Sequence, residues 1–152
     1  MEKKLMVANW KMNQSLHDIA SFFHLFNEKY TGKRDAWIAS QAIHFPIVEE
    51  LKNQKVKAGL QNCSSFISGA YTGEVSARSL KEMNGEFVIL GHSERRQLFH
   101  EASSFIKDKV QTVLNEDLSA IYCVGESLEE REAGQTFDVL KNQLREGLSH
   151  IR

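Results

Sequence analysis

Asn9 and Lys11 follow a short apolar run at residues 5–8, and His92 and Glu94 follow a second one, Phe87-Val88-Ile89-Leu90. Their types suit one kind of chemistry. An ammonium offers a point charge to a phosphate or an oxyanion. A carboxamide and an imidazole donate to a carbonyl without carrying charge, and an imidazole can also move a proton or hold a metal. A carboxylate can hold the ammonium in an ion pair. Gln61 and Asn62 stand after a third run at 56–60, and Cys123 and Glu126 at the end of another at 120–124. If the runs are parallel strands, all these groups gather at one end of the sheet, where the loops of α/β enzymes open. The set describes electrostatic stabilisation of a small anionic substrate, with a proton-transfer step. The six histidines (17, 24, 44, 92, 100 and 150) are scattered without ligand spacing, so no metal set is read. No nucleophile elbow is present either. Cys123 reads as a packing thiol beside the site, and Cys63 as structural or near an interface.

The elements that must position these groups follow from pattern. Residues 5–8 read as a first buried strand. Ser15 reads as an N-cap, with Asp18 three residues on. Leu16, Ile19, Phe22, Phe23 and Phe26 then form a helical apolar stripe that Gly32 ends. Residues 36–39 read as the second strand, and Pro46 as the first turn of a helix with Ile47, Val48 and Leu51 inward. A third strand at 56–60 leads into a long loop, 61–76. A short helix at 78–84 is closed by Gly85. The buried fourth strand, 87–90, ends at Gly91, which can turn without a Cβ penalty. Ile106, Val110, Val113 and Leu114 mark the next helix and residues 120–124 the fifth strand. A last helical region, broken at Gly134, is expected to bury Phe137, Leu140, Leu144, Leu148 and Ile151. Strand and helix alternate five times, which means parallel strands with helices outside. A doubly wound sheet and part of a (βα)8 barrel both fit. No glycine-rich phosphate turn follows any strand, so nucleotide binding has no support.

Composition narrows the class. With 41% hydrophobic and 26% charged residues, net charge −1 and pI near 6.6, nothing points to nucleic acid or an anionic membrane as partner. Two distant cysteines suggest reduced thiols. The run at 5–8 is too short for a signal peptide, and no run reaches membrane-spanning length. One domain over 1–152 is expected, in the cytoplasm.

Four blocks carry a resemblance. They are Val7-Ala8-Asn9-Trp10-Lys11-Met12-Asn13; Gln61-Asn62 with Gly69-Ala70-Tyr71-Thr72-Gly73-Glu74-Val75-Ser76; Ile89-Leu90-Gly91-His92-Ser93-Glu94-Arg95-Arg96; and Cys123-Val124-Gly125-Glu126 with Leu128-Glu129-Glu130-Arg131-Glu132-Ala133-Gly134. In this order the sequence closely resembles the triosephosphate isomerase family, itself a standard illustration of tuned acid–base groups and lid closure. The resemblance implies a (βα)8 barrel and interconversion of dihydroxyacetone phosphate and glyceraldehyde 3-phosphate through an enediolate, without a cofactor. It makes Asn9 and Lys11 substrate contacts, His92 the neutral electrophile that polarises the carbonyl, and Glu94 the group behind Lys11. Met12, Gln61, Tyr71, Thr72 and Gly73 would meet a second subunit, giving a homodimer.

The family's barrel has eight strands in about 250 residues, and this sequence accounts for five βα units as a partial barrel. The lid glutamate that acts as base and the last phosphate-binding loops have no counterpart here. General-base help is worth roughly 10²–10⁴-fold, so little or no isomerase activity is expected of these 152 residues alone. Either the remaining three βα units, from the rest of the gene or from a second polypeptide, complete the barrel, or the piece is a non-catalytic half-barrel that serves assembly or binding. A half-barrel should have bare strand edges and a tendency to associate. Gln41-Ala42 stands for a frequent Pro-Pro, and Ala102 stands where a serine commonly caps a helix.

Overall fold

The computed structural model describes residues 4–149 and 151; His150, named above, lies outside them, as do the first three residues and Arg152. Five parallel strands make one sheet in simple sequence order. They are β1 (Leu5–Asn9), β2 (Asp35–Ser40), β3 (Val56–Leu60), β4 (Phe87–Leu90) and β5 (Ser119–Tyr122). The register runs Asn9 beside Ala39, Ala39 beside Gly59, Gly59 beside Phe87 and Phe87 beside Ser119. This is a curled partial barrel and not a doubly wound sheet, because each new strand adds to the same edge.

The helices are α1 (Leu16–Lys29), α2 (Phe45–Leu51), α3 (Ala77–Glu82), α4 (Ser93–Leu98), α5 (Ser103–Asn115), α6 (Leu128–Glu132) and α7 (Thr136–Leu148), with a 3₁₀ turn at Ala42–His44. Alternate strand residues point to opposite faces. Ala36, Ile38, Val56, Ala58, Leu60, Val88 and Leu90 meet Ile19, Phe23, Val48, Leu80, Ile106, Val110 and Val113 in the main core. Ala39, Phe87 and Ile89, with Trp37, Ile121 and Cys123, form a smaller cluster on the other face. Ser15 and Asp18 form the expected cap as a reciprocal box: the Asp18 amide donates to the Ser15 hydroxyl, and the Ser15 amide to the Asp18 carboxylate. Pro46 lies in the first turn of α2.

Several expectations need correction. The first strand is not buried: Leu5, Met6 and Val7 are 48%, 46% and 41% exposed, because among the described residues β1 is an edge strand paired only with β2. Leu16 is exposed at the start of α1, which ends at Lys29 with Tyr30 as its C-cap; Gly32 lies beyond the helix, with φ +74°. Phe137, Leu144 and Ile151 are exposed, Phe137 at 84%. A helical stripe buries only where a neighbour covers it: Leu140 and Leu148 are half-buried, Leu148 against the main core, while Phe137 and Leu144 are left open. The break at Gly134 is present, between α6 and α7. The charged residues after β4, to which the pattern assigns no element, form the short helix α4.

Candidate active site

The turn after β1 is built to present Lys11. Its backbone takes the left-handed conformation, φ +54°, which is uncommon for a residue with a Cβ. Both its peptide groups are held. The Lys11 amide donates to Asn9 Oδ1 at 3.1 Å, and the Lys11 carbonyl accepts from Gln61 Nε2 at 2.8 Å. Gln61 also donates to the Ala39 carbonyl at 3.1 Å, which ties the turn to β2. Asn9 and Gln61 thus serve the shape of the Lys11 turn as well as lining the cavity beside it.

The turn after β4 presents His92. The residue is the N-cap of α4, and its Nδ1 accepts from the Glu94 amide at 3.3 Å. Capping is ordinarily done by an oxygen of Ser, Thr, Asp or Asn. With Nδ1 accepting that amide, the ring proton of a neutral imidazole lies on Nε2, which faces Lys11; the opposite tautomer would put it on Nδ1, 3.4 Å from Glu94 Oε2, and let Nε2 accept from the lysine. Lys11 Nζ lies 3.1 Å from His92 Nε2 and donates to Glu94 Oε1 at 2.7 Å. In the Nε2–H tautomer two donors converge on one place, and an electron-rich oxygen there would satisfy both. The Lys11 hydrogen bond, helped by the Lys11 charge, holds the Glu94 carboxyl below the usual carboxylate range. The pair is more than a third exposed on both sides, where ion pairs add little stability. Its use is to aim the lysine.

These residues border a cavity of about 710 Å³, with Asn9, Lys11, Gln61, His92, Glu94 and Arg95 in its wall. Met12 and Gly73 border the same space, while Tyr71 and Thr72 are exposed in the 61–76 loop. That loop is ordered by its own bonds: the Ser64 amide donates to the Val75 carbonyl, Ser76 Oγ to the Ile67 carbonyl, and Tyr71 stacks on Phe66. Cys123 and Glu126 are not beside Lys11; they border a smaller cavity of about 370 Å³ on the other side of His92. Glu126 takes Thr136 Oγ1 at 3.4 Å. Burial pushes the Cys63 thiol up to about 12 and raises the Cys123 thiol as well, so neither is a nucleophile at neutral pH.

A buried charge network supports the site and was not read from the sequence. Lys109, 1% exposed, donates to Glu101 Oε1 at 2.7 Å and to Asn62 Oδ1 at 3.0 Å. Arg95 Nε donates to the same Glu101 oxygen at 2.7 Å. Asn62 is thus tied into this network while it faces the cavity. The available signal was Lys109 itself, a charge within the inward stripe Ile106, Val110 and Val113. No group of three or more His, Cys, Asp or Glu among the described residues could hold a metal ion.

A family model described as triosephosphate isomerase matches residues 4–152. The chain is 39% identical to the triosephosphate isomerase of Leptospira interrogans over 99% of its length and 62% of that protein. It is 40% identical to the triosephosphate isomerase of Bdellovibrio bacteriovorus over 97% of its length and 62% of the relative. For the triosephosphate isomerase of Porphyromonas gingivalis the figures are 38%, 97% and 61%. The chain therefore spans about 62% of the length of such relatives.

Proposed function

The chain belongs to the triosephosphate isomerase family, and from that premise we propose that it supplies the electrophilic half of an isomerase site for dihydroxyacetone phosphate and glyceraldehyde 3-phosphate. The observation that carries this reading is the 3.1 Å approach of Lys11 Nζ to His92 Nε2. In the proposed reaction the substrate carbonyl oxygen accepts from His92 Nε2–H. As a base removes the neighbouring carbon-bound proton, negative charge collects on that oxygen, and the imidazole bond and the Lys11 ammonium stabilise it. The same ammonium draws in the phosphorylated substrate, while Asn9 and Gln61 hold the turn that carries it. The hydroxyl proton of the neighbouring carbon passes to the former carbonyl oxygen, and returning the abstracted proton to the former carbonyl carbon then completes the aldose–ketose exchange; no cofactor enters.

The base lies outside this set. Glu94 is engaged by Lys11 at 2.7 Å, and Glu126 is turned toward Thr136. We assign the base and the remaining phosphate donors to polypeptide that completes the barrel, joined to these residues or separate from them. The exposed Tyr71–Gly73 segment and Met12 would meet a second copy in a homodimer. Free thiols at Cys63 and Cys123 suit the reducing cytosol. The second reading, an inert half-barrel used in assembly, is favoured by the open β1 edge. A coupled isomerase assay separates the two. The 152-residue chain should turn over nothing alone. Mixed with a polypeptide supplying the remaining three βα units, it should gain activity that His92→Gln lowers by several orders of magnitude. A complemented barrel without activity would sink the isomerase reading. Activity of the chain alone, lost in His92→Gln, would show that a base is recruited from within it.

A further inference from the structure

The His92 turn is anchored from behind by a side chain that the proposed mechanism does not use. Arg96 spends its guanidinium on four acceptors: Nε donates to the Gly91 carbonyl at 2.8 Å, Nη1 to Ser103 Oγ at 2.9 Å, and Nη2 to the Cys123 carbonyl and the Tyr122 hydroxyl, both at 3.1 Å. Gly91 has φ +70°, and a Cβ there would stand 2.9 Å from Arg96 Nη2. The Gly91 carbonyl belongs to the peptide that joins Gly91 to His92, so the guanidinium fixes the plane from which the imidazole projects.

Tyr122 is one of the four groups that hold that guanidinium. Its ring centroid lies 5.6 Å from the Arg96 Cζ, and its hydroxyl accepts from Arg96 while donating to the Gln143 carbonyl of α7 at 2.7 Å. A carbonyl inside a helix is normally screened by side chains one turn on. Here that next-turn residue is Gly147, and a Cβ on it would meet the Tyr122 hydroxyl oxygen at 2.2 Å. The side chain of Gln143 then grips Gly125 on both peptide groups, at 2.9 Å each. Helix α7, the end of β5 and the His92 turn are thereby joined through one phenol.

We propose that Tyr122 is a positioning residue for the His92 imidazole, acting through Arg96 and the Gly91 carbonyl, and that Gly147 provides the space this requires. The inference rests on the reading of His92 as the electrophile for its value to the reaction, but not for its test. The test uses the full chain with ¹⁵N-labelled histidine at fixed neutral pH. Tyr122→Phe keeps the ring and removes only the hydroxyl. It should displace both ring ¹⁵N resonances of His92 and leave those of His17, His24 and His44 in place. His92 signals that superimpose on those of the unmodified chain overturn the proposal.

A second pair of variants separates positioning from packing. Gly147→Ala should lower thermal stability and displace the His92 signals, because the methyl group drives the phenol away. Tyr122→Leu/Gly147→Ala vacates the space, so stability should return toward that of the unmodified chain while His92 stays displaced, the hydroxyl being absent. Recovery of the His92 signals together with stability would mean that packing alone matters, and the proposal would fall. Binding of a phosphorylated enediolate mimic, read by calorimetry on the chain complemented with the remaining three βα units, reports on the isomerase reading separately. Displaced His92 signals without mimic binding sustain the positioning role and count against isomerase function. Mimic binding with unmoved His92 signals does the reverse.

Discussion

Lys11 and His92 come from the ends of the first and fourth strands, yet Lys11 Nζ stands 3.1 Å from His92 Nε2. Neither residue is placed by its own strand alone. Asn9 and Gln61 hold the Lys11 backbone, and Glu94 touches both partners, its amide on His92 Nδ1 and its carboxylate on Lys11 Nζ.

Glu94 should keep its charge to lower pH than an ordinary glutamate, because Lys11 bonds to the ionised form. A depressed carboxyl contributes to stability above its unfolded value and loses that contribution as pH falls through its folded value. The window is therefore acidic, below the ordinary 4.5. Carboxyl ¹³C titration should show the Glu94 midpoint moving up in Lys11→Met. An unchanged midpoint would mean that the bond does not persist in solution.

Cys63 should be inert. With its thiol raised to about 12 against 9.0 for an unperturbed cysteine, the thiolate fraction at pH 8 falls by about a thousandfold. Alkylation should be slower by at least that factor in the native chain than in urea. Stability should be insensitive to this group below pH 9. From there to about 12 it should decline by about 1.4 kcal/mol per pH unit, since only the unfolded chain releases the proton.

Removing one partner of the buried network should be costly. Lys109→Met leaves Glu101, 7% exposed, with Arg95 as its remaining cation, and the expected loss is about 3–5 kcal/mol in urea unfolding. Lys109→Met/Glu101→Leu should lose less than Lys109→Met alone. A double variant weaker than the single one would contradict this account.

The helix α5 begins without a side-chain cap, as Ala102 has cap geometry, φ −70° and ψ 154°, but no oxygen to offer. Ala102→Ser should add about 1 kcal/mol. Thermal unfolding of the two chains side by side would show it.

The open edge at β1 should drive self-association, because it exposes unpaired backbone groups together with Leu5, Met6 and Val7. Met6→Lys should shift sedimentation velocity profiles toward the monomer. Concentration-independent monomer in the unmodified chain would rule the edge out as a sticky site.

The strands were legible because short apolar runs, closed by a polar group or glycine, leave few other readings; β4 matches residue for residue, and so does β3 although Lys57 interrupts its run. The gathering of Asn9, Lys11, His92 and Glu94 followed from parallel connections. Helix α4 was hidden because its six residues, Ser93–Leu98, carry no apolar period and its cap is an imidazole. Lys109 was passed over since a charge in an apolar stripe declares itself only once its partners on other elements are known. Phe137 and Leu144 show the converse: local spacing specifies a face but not what covers it.

The left-handed backbone of Lys11 sets two kinds of selection against each other. Glycine would relax that turn, so a screen for heat resistance alone would drift toward Lys11→Gly and discard the ammonium that faces His92. Directed evolution of this scaffold for robustness therefore needs a binding or turnover readout at every round. Without one, the most readily won thermal gain would erase the charge that the turn exists to present.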